Sequence, residues 1–360
     1  MIAFFRGTEM FWVLIVVFLM WAIPRFYLSG EDLSKYDSPA KADFGGGIEP
    51  NAELEASLKT LFGEASEMQS MSRKARLTFM REFMDNMFVD HEFTGSFTTV
   101  DVDGVPAEWV VAPGADPDRR LLYIHGGAFT MGSPRSHRVI THRFSEIANA
   151  AVLAIDYRLM PENHRQHGND DCRTAYLWIL KNGPETTTPS SWLGIAGDSA
   201  GGNLTLALSN WIRDQGLQTP DRVVALSPTT DGTMGSPSAR SNMKTDAMLR
   251  PMFEQLAKVP RFILLWGSWI YTRIRPCDPK ISPIFDSLAN LPPTLVHASE
   301  TEILLDDARR YVNKARSQGS PVKLQTWDRM PHVWQMFYPT LPEAGDAFQE
   351  IEKFLTQPPD

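Results

Sequence analysis

The chain opens on an uncharged apolar block from Met10 to Pro24, held between Glu9 and Arg25. This run, FWVLIVVFLMWAI, is too apolar for the surface helix of a soluble domain, yet short of the about 20 residues a full membrane span needs. Phe26, Tyr27 and Leu28 extend it if the Arg25 side chain snorkels, and Trp12, Trp21 and Tyr27 suit the two membrane interfaces. No small-x-small cleavage site follows the apolar core. An uncleaved anchor over residues 1–29 is therefore expected, ahead of a helix lying in the membrane plane or a cleaved signal peptide. Residues 30–51 are polar, carry Gly45-Gly46-Gly47 and read as a linker. From 52 to 94 the spacing is helical: Leu54, Leu58, Leu61 and Phe62 share one face, and Leu77, Met80, Met84, Met87 and Phe88 another. Such stripes are ordinarily core packing. Two helices ahead of the first strand also suit a cap over a pocket, and methionine suits a pocket that adapts.

Beyond Phe97 the texture becomes that of strands. A hairpin is expected around Asp103-Gly104, with strands at 99–102 and 109–111. Alternation follows, with strands at 121–124, 151–156, 192–196, 222–226, 294–297 and 322–327, and helices at 138–148, 173–181, 204–214, 304–316 and 342–355. Alternation of this kind builds a mainly parallel sheet with helices on both faces, an α/β domain over 95–357. It breaks off between Pro228 and Pro292, an insertion at about 229–290. There, Phe262-Ile263-Leu264-Leu265-Trp266 and Trp269-Ile270-Tyr271 are apolar runs too short to span a bilayer. They read as core, with a pocket wall or a patch resting on a membrane as alternatives.

Composition excludes several classes. At 360 residues, 43% hydrophobic and 22% charged, the chain is globular. A net charge of -8 without a basic stripe argues against nucleic acid as a partner. Cys172 and Cys277 stand far apart with no CxxC, which points to two unpaired buried thiols rather than a zinc site. Phosphate-loop and dinucleotide fingerprints are absent, and neither a cofactor nor a metal is expected.

The chemistry concentrates at Leu193 to Asn203, where a buried apolar run meets Gly197-Asp198-Ser199-Ala200-Gly201 and then a helix. A chain this long meets G-x-S-x-G by chance about one time in ten, so its position between strand and helix carries the reading. At such an elbow the serine is held on a strained turn above the sheet edge. A serine hydroxyl is a weak nucleophile without a base, and the base is usually oriented by a carboxylate. In sheets of this kind the order is serine, acid, histidine. Of eight histidines only His297 and His332 follow Ser199. His297 lies within a strand and reads as structural, whereas His332 sits just beyond one, in Met330-Pro331-His332. Glu302 is the favoured acid, because Asp306 and Asp307 already lie inside the next helix; Glu300 stays open on spacing alone. A developing oxyanion needs oriented N–H donors, and His125-Gly126-Gly127-Ala128 after the strand at 121–124 offers Gly126 and Gly127, with Ala200 as the third.

As an ordered set, these motifs resemble the hormone-sensitive-lipase-like branch of the α/β-hydrolases, which includes arylacetamide deacetylases and microbial carboxylesterases. The matching stretches are His125 to Phe129, Asp156 to Glu162, Gly197 to Asn203, Asp278 to Pro283, Leu291 to Thr294, Glu302 to Asp307 and Met330 to His332, within roughly 95–355. The resemblance implies an eight-stranded sheet, a cap from the N-terminal helices, and ester hydrolysis through a serine acyl-enzyme. It also puts the family's acid on Glu302. Three departures stand out: Ala128 replaces the third glycine, Asn163-His164-Arg165-Gln166-His167 replaces apolar and proline residues, and the apolar N-terminus is like that of anchored eukaryotic deacetylases. The expected function is a single-pass, membrane-anchored serine carboxylesterase, placed by this resemblance in the endoplasmic reticulum, that acts on a small apolar ester with a short acyl group. An amidase, a lactonase or an acyl transferase with the same triad, and a non-catalytic receptor on the same fold, are the alternatives, since pocket shape selects among them.

Overall fold

A strand covered on both faces is apolar at every position rather than at alternate ones, and the parallel strands of this chain are of that kind. The structure, a computed structural model, describes residues 7–38, 45–46 and 71–357. Eight strands form one sheet: β1 (Ser96–Val102), β2 (Val105–Val111), β3 (Asp116–Ile124), β4 (Ala150–Ile155), β5 (Trp192–Asp198), β6 (Arg222–Leu226), β7 (Thr294–Ser299) and β8 (Val322–Trp327). Their spatial order is β1-β2-β4-β3-β5-β6-β7-β8, with β2 antiparallel to both of its neighbours and every other pair parallel. Gly45–Gly46 adds a two-residue parallel pairing outside β8.

Helices α1 (Gly7–Ile23) and α2 (Arg73–Asn86) precede the sheet, and α3 (Arg138–Ala148), α4 (Arg165–Ile179) and α5 (Ser199–Asp214) alternate with its strands. After β6 come α6 (Ser238–Ser241), α7 (Arg250–Ala257) and α8 (Arg261–Thr272), then α9 (Leu305–Ser317) and α10 (Pro342–Thr356). Strand β4 shows how two cores arise from one run. Ala151, Leu153 and Ile155 join Tyr176 of α4, Leu208 of α5 and Tyr311 of α9, while Ala150 and Val152 join Phe144 of α3 and Phe348 of α10. Cys172 and Cys277 are both buried and unpaired.

The structure departs from the sequence expectation in three places. First, α4 begins at Arg165 rather than 173. Its polar first turns are inside: Arg165 is buried, stacked over the Phe129 ring at 3.8 Å and bonded to Asn169 at 3.1 Å and Asn203 at 2.8 Å. Second, the insertion at 229–290 is not irregular throughout, because it carries α6 to α8. Third, residues 30–38 are no free linker. Leu33 is buried, Glu31 pairs with Lys314 at 2.8 Å, Asp37 bonds to Arg310 at 3.1 Å, and Asn313 donates to the Tyr36 carbonyl at 2.9 Å. All three partners belong to α9. Most of the remaining linker, and the stripe Leu54, Leu58, Leu61 and Phe62, lie outside the described residues.

Helix α1 runs on through a π-helical turn at Pro24–Leu28, in which Pro24 and Leu28 are buried against the body. The stretch Met10–Leu28 is 19 residues, long and apolar enough by length and composition to cross a membrane.

Candidate active site

The end of β5 turns sharply into α5 at Ser199, whose φ of +52 is a conformation that side chains with a Cβ rarely adopt. The strain is tolerated because the surroundings leave no room to relax. A Cβ on Gly201 would lie 2.0 Å from the Ile124 carbonyl, so only glycine lets α5 pass this close to β3. The half-buried Ser199 hydroxyl is thereby held above the carboxyl ends of the central strands, where ligands bind in sheets of this type.

Three side chains from separate segments converge here, Ser199 at the start of α5 and Glu302 and His332 from the loops after β7 and β8. His332 Nε2 lies 2.8 Å from Ser199 Oγ, and its Nδ1 lies 2.7 Å from Glu302 Oε2. The other carboxylate oxygen of Glu302 accepts the Ser299 N–H at 2.8 Å, which fixes the carboxylate relative to the end of β7. Glu302 is fully buried and His332 almost so. The loop that carries His332 is tied down by Ser299 Oγ, which donates to the Met330 carbonyl at 2.6 Å. Burial disfavours the charged imidazolium, but the hydrogen bond and charge of Glu302 outweigh it, and the His332 pKa is raised.

The other acids point elsewhere. Glu300 pairs with Arg309 at 2.6 Å. Asp306 accepts the Ser238 N–H at 2.8 Å, and Asp307 accepts those of Thr230 and Asp231 at 2.7 and 3.0 Å. Both aspartates thus secure the insertion to α9. His297 is buried among Trp327 and Trp334, bonds to Gln325 at 2.8 Å, and burial lowers its pKa to about 3.

The loop after β3 requires one correction. Gly126 does not offer its amide to the serine, because that N–H donates to Asp198 Oδ1 at 3.0 Å. The next two residues turn over, with φ of +108 at Gly127 and +52 at Ala128, and they line the cavity beside Ser199 and Ala200. At Gly127 a Cβ would lie 2.2 Å from the Met131 carbonyl, so no other residue fits. With the Gly126 amide taken, the cavity-lining residues beside Ser199 that still carry an N–H are Gly127, Ala128 and Ala200.

Several residues at the site escaped the sequence reading. Asp198 also accepts the Tyr123 hydroxyl at 2.7 Å and lies 3.4 Å from His137. Burial opposes its charge, yet His137 and the Tyr123 hydroxyl outweigh burial and hold the carboxyl below the usual range. Asn242 donates to the carbonyls of Glu300 and Glu302 at 2.9 and 3.0 Å, and Asp246 accepts the Ile303 N–H at 2.8 Å. The motif around Ser199 pointed to Asp198; nothing periodic pointed to Asn242 or Asp246, which lie in the insertion.

In front of the serine is a cavity of about 880 Å³. Its walls are largely apolar: Met80 and Met84 of α2, Met252 and Phe253 of α7, and Ile263 and Leu264 of α8. Among the described residues no group of three or more His, Cys, Asp or Glu is placed to hold a metal ion.

The chain matches the alpha/beta hydrolase fold family over residues 121–336. It is 36% identical to an acetyl-hydrolase of Streptomyces hygroscopicus across 71% of this chain and 81% of that protein. A carboxylesterase/phospholipase of Mycobacterium tuberculosis is 34% identical across 72% of this chain and 68% of its own length. Among solved structures, an esterase of the bacterial hormone-sensitive lipase family superposes with a TM-score of 0.72 at 34% identity, covering 86% of this chain and 98% of that one. The chain belongs to the alpha/beta hydrolase fold family, in its hormone-sensitive-lipase branch.

Proposed function

We propose that this chain, a carboxylic ester hydrolase by family, cleaves an uncharged apolar ester through a covalent acyl-enzyme on Ser199. The observation that carries the reading is the unbroken relay from Glu302 through His332 to Ser199, at 2.7 and 2.8 Å, on the wall of an apolar cavity. His332 Nε2 takes the Ser199 proton as Oγ attacks the ester carbonyl carbon, and Glu302 holds the imidazole in the tautomer that accepts at Nε2. The amides of Gly127, Ala128 and Ala200 receive the oxyanion. His332 then gives its proton to the departing alcohol as the ester C–O bond breaks. A water, deprotonated by the same nitrogen, attacks the acyl-Ser199 carbonyl, and His332 returns that proton to Ser199 Oγ as the acyl–Oγ bond breaks and the acid leaves.

The short-acyl reading belongs to this proposal. The Ala128 methyl group occupies space that a glycine would leave open beside the acyl group, while the main volume of the cavity suits a bulky lipophilic alcohol. Helix α1 serves as a retained single-pass anchor. The buried Pro24 and Leu28 tie it to the body, so cleavage after the apolar core would uncover packed residues. The curated relatives named above are bacterial, and the endoplasmic reticulum forms no part of this proposal.

Ser199→Ala is expected to lose all labelling by a fluorophosphonate probe and at least about a thousandfold in turnover of nitrophenyl acetate. Labelling and turnover near the parent rate would sink the reading.

A further inference from the structure

One helix separates the cavity from the surface, and it is apolar on both sides. Along α8, Ile263, Leu264, Gly267, Ser268 and Tyr271 line the cavity, the spacing of a single helical face. Phe262 and Ile270 are exposed and outside the cavity wall, Ile270 to 70%. No charge occurs from Phe262 to Thr272, and Arg261 at the helix start is turned onto Thr233. Met252, Leu256, Ile263 and Tyr271 are at once cavity wall and exposed, so the mouth lies between α7 and α8. A continuous exposed apolar surface is one that a partner covers.

The neighbour of α8 identifies the partner. Trp266 Nε1 donates to the Met20 carbonyl at 3.1 Å, and the rings of Trp269 and Tyr27 meet edge to face at 5.9 Å. Helix α8 therefore continues the apolar surface of α1, whose large side chains from Met10 to Trp21 are almost all exposed. At the junction Arg25 lies over Phe26 and Arg275 over Tyr27, cations at the level where an apolar face would meet lipid headgroups. The docking of residues 31–38 on α9 holds this arrangement to the body.

We infer that α8 lies in the lipid surface beside α1, so that the cavity mouth faces the bilayer and admits an uncharged ester dissolved in the membrane. The inference rests on the reading of Ser199 as nucleophile and of α1 as anchor. It adds that the substrate arrives by lateral diffusion within the lipid rather than from water.

The test uses the full chain reconstituted in phosphatidylcholine vesicles that contain hexadecyl acetate, with nitrophenyl acetate as the water-soluble comparison. The double variant Phe262→Glu/Ile270→Glu, at two positions outside the cavity wall, is expected to lose at least about tenfold on hexadecyl acetate while staying within about twofold on nitrophenyl acetate. A spin label on Ile270→Cys, with both native cysteines buried, is expected to collide with dissolved oxygen and not with an aqueous nickel chelate. Unchanged hydrolysis of hexadecyl acetate, a label open to nickel, or a solution dimer that the double variant dissociates would overturn the inference. Nitrophenyl acetate turnover that survives Ser199→Ala would instead overturn the catalytic reading beneath it.

Discussion

Asp198 holds the amide of Gly126 at 3.0 Å, and this bond joins the serine elbow to the loop that carries the proposed oxyanion donors. The two segments come from adjacent parallel strands, β5 and β3, so a side chain at the end of one sets the position of the other. With Gly126 spent on that bond, the chain turns over at Gly127 and Ala128, the next residues along the cavity wall and the proposed oxyanion donors. Asp198→Ala leaves the Gly126 N–H and the Tyr123 hydroxyl without their acceptor, at a cost of about 1–3 kcal/mol each in a buried site. The expected result is a fall in kcat of about 10–100-fold with KM little changed. Asp198→Asn keeps an oxygen for Gly126 and should recover most of that loss. The carboxyl is depressed below 3.8 in the fold, so its stabilisation is present above that pH and is lost as the pH falls through the lower folded value. Thermal melts of the parent and Asp198→Asn should accordingly converge toward low pH. Separation that grows with acid would contradict the sign.

Glu302 has one oxygen on His332 and the other on the Ser299 amide. Glu302→Gln keeps the volume, but its amide can donate toward Nδ1, favouring the tautomer that cannot accept the Ser199 proton. A fall in kcat of about 10³–10⁴-fold is expected, with the melting temperature close to the parent. Asp306→Asn removes a charge from the Ser238 N–H contact and leaves the relay intact, so its turnover should stay within about threefold, well short of losing a transition-state contact. A Glu302→Gln enzyme as active as the parent would remove Glu302 from the proposed triad.

The raised pKa of His332 gives activity a defined acid limb. Only the neutral imidazole can act as base, so kcat/KM on an uncharged soluble ester should rise with pH through a midpoint above 6.5. In Glu302→Gln the burial that disfavours the imidazolium loses its main opponent, and only the weaker charges of Asp246 and Asp198 still favour the proton. The residual activity should then show its midpoint shifted downward. A parent midpoint below 6.5, or one that Glu302→Gln moves upward, would contradict the electrostatics described for this pair.

Much of this was legible in the sequence, and what was not has physical causes. Runs such as Leu121 to Ile124 are apolar at every position because both faces of the strand are covered. The order Ser199, Glu302, His332 follows the strands that deliver them to one edge of the sheet. Helix α8 went unread as a helix because Phe262-Ile263-Leu264-Leu265-Trp266 and Trp269-Ile270-Tyr271 are short apolar, aromatic-rich runs, a texture that fits a buried strand as well as a helix. The polar start of α4 looked like a loop, since no local rule says that Arg165 will find Asn203 and the Phe129 ring. Gly126 shows a different limit. Sequence says which residues own an amide, but not which amide a carboxylate 72 positions away has taken.

The docking of residues 30–38 changes where the proposed anchor, α1, can be removed. Leu28 is fully buried and Leu33 nearly so, while the side chains from Met10 to Trp21 are mostly exposed. Deleting residues 1–23 removes the apolar helix and keeps these contacts. That protein should appear in the soluble fraction, with esterase activity on nitrophenyl acetate near the parent and a similar melting temperature. Deleting residues 1–38 also removes Leu28 and Leu33, whose burial contributes about 1.5–3 kcal/mol each. It leaves Lys314 and Arg310, both buried, without the acidic partners Glu31 and Asp37. The longer deletion should therefore melt at least about 5 °C lower, since about 1 kcal/mol moves a domain above 250 residues by roughly 2 °C. Equal melting temperatures for the two truncations would show that residues 24–38 are a passive linker after all. A full-length protein recovered in the supernatant without detergent would remove α1 as an anchor.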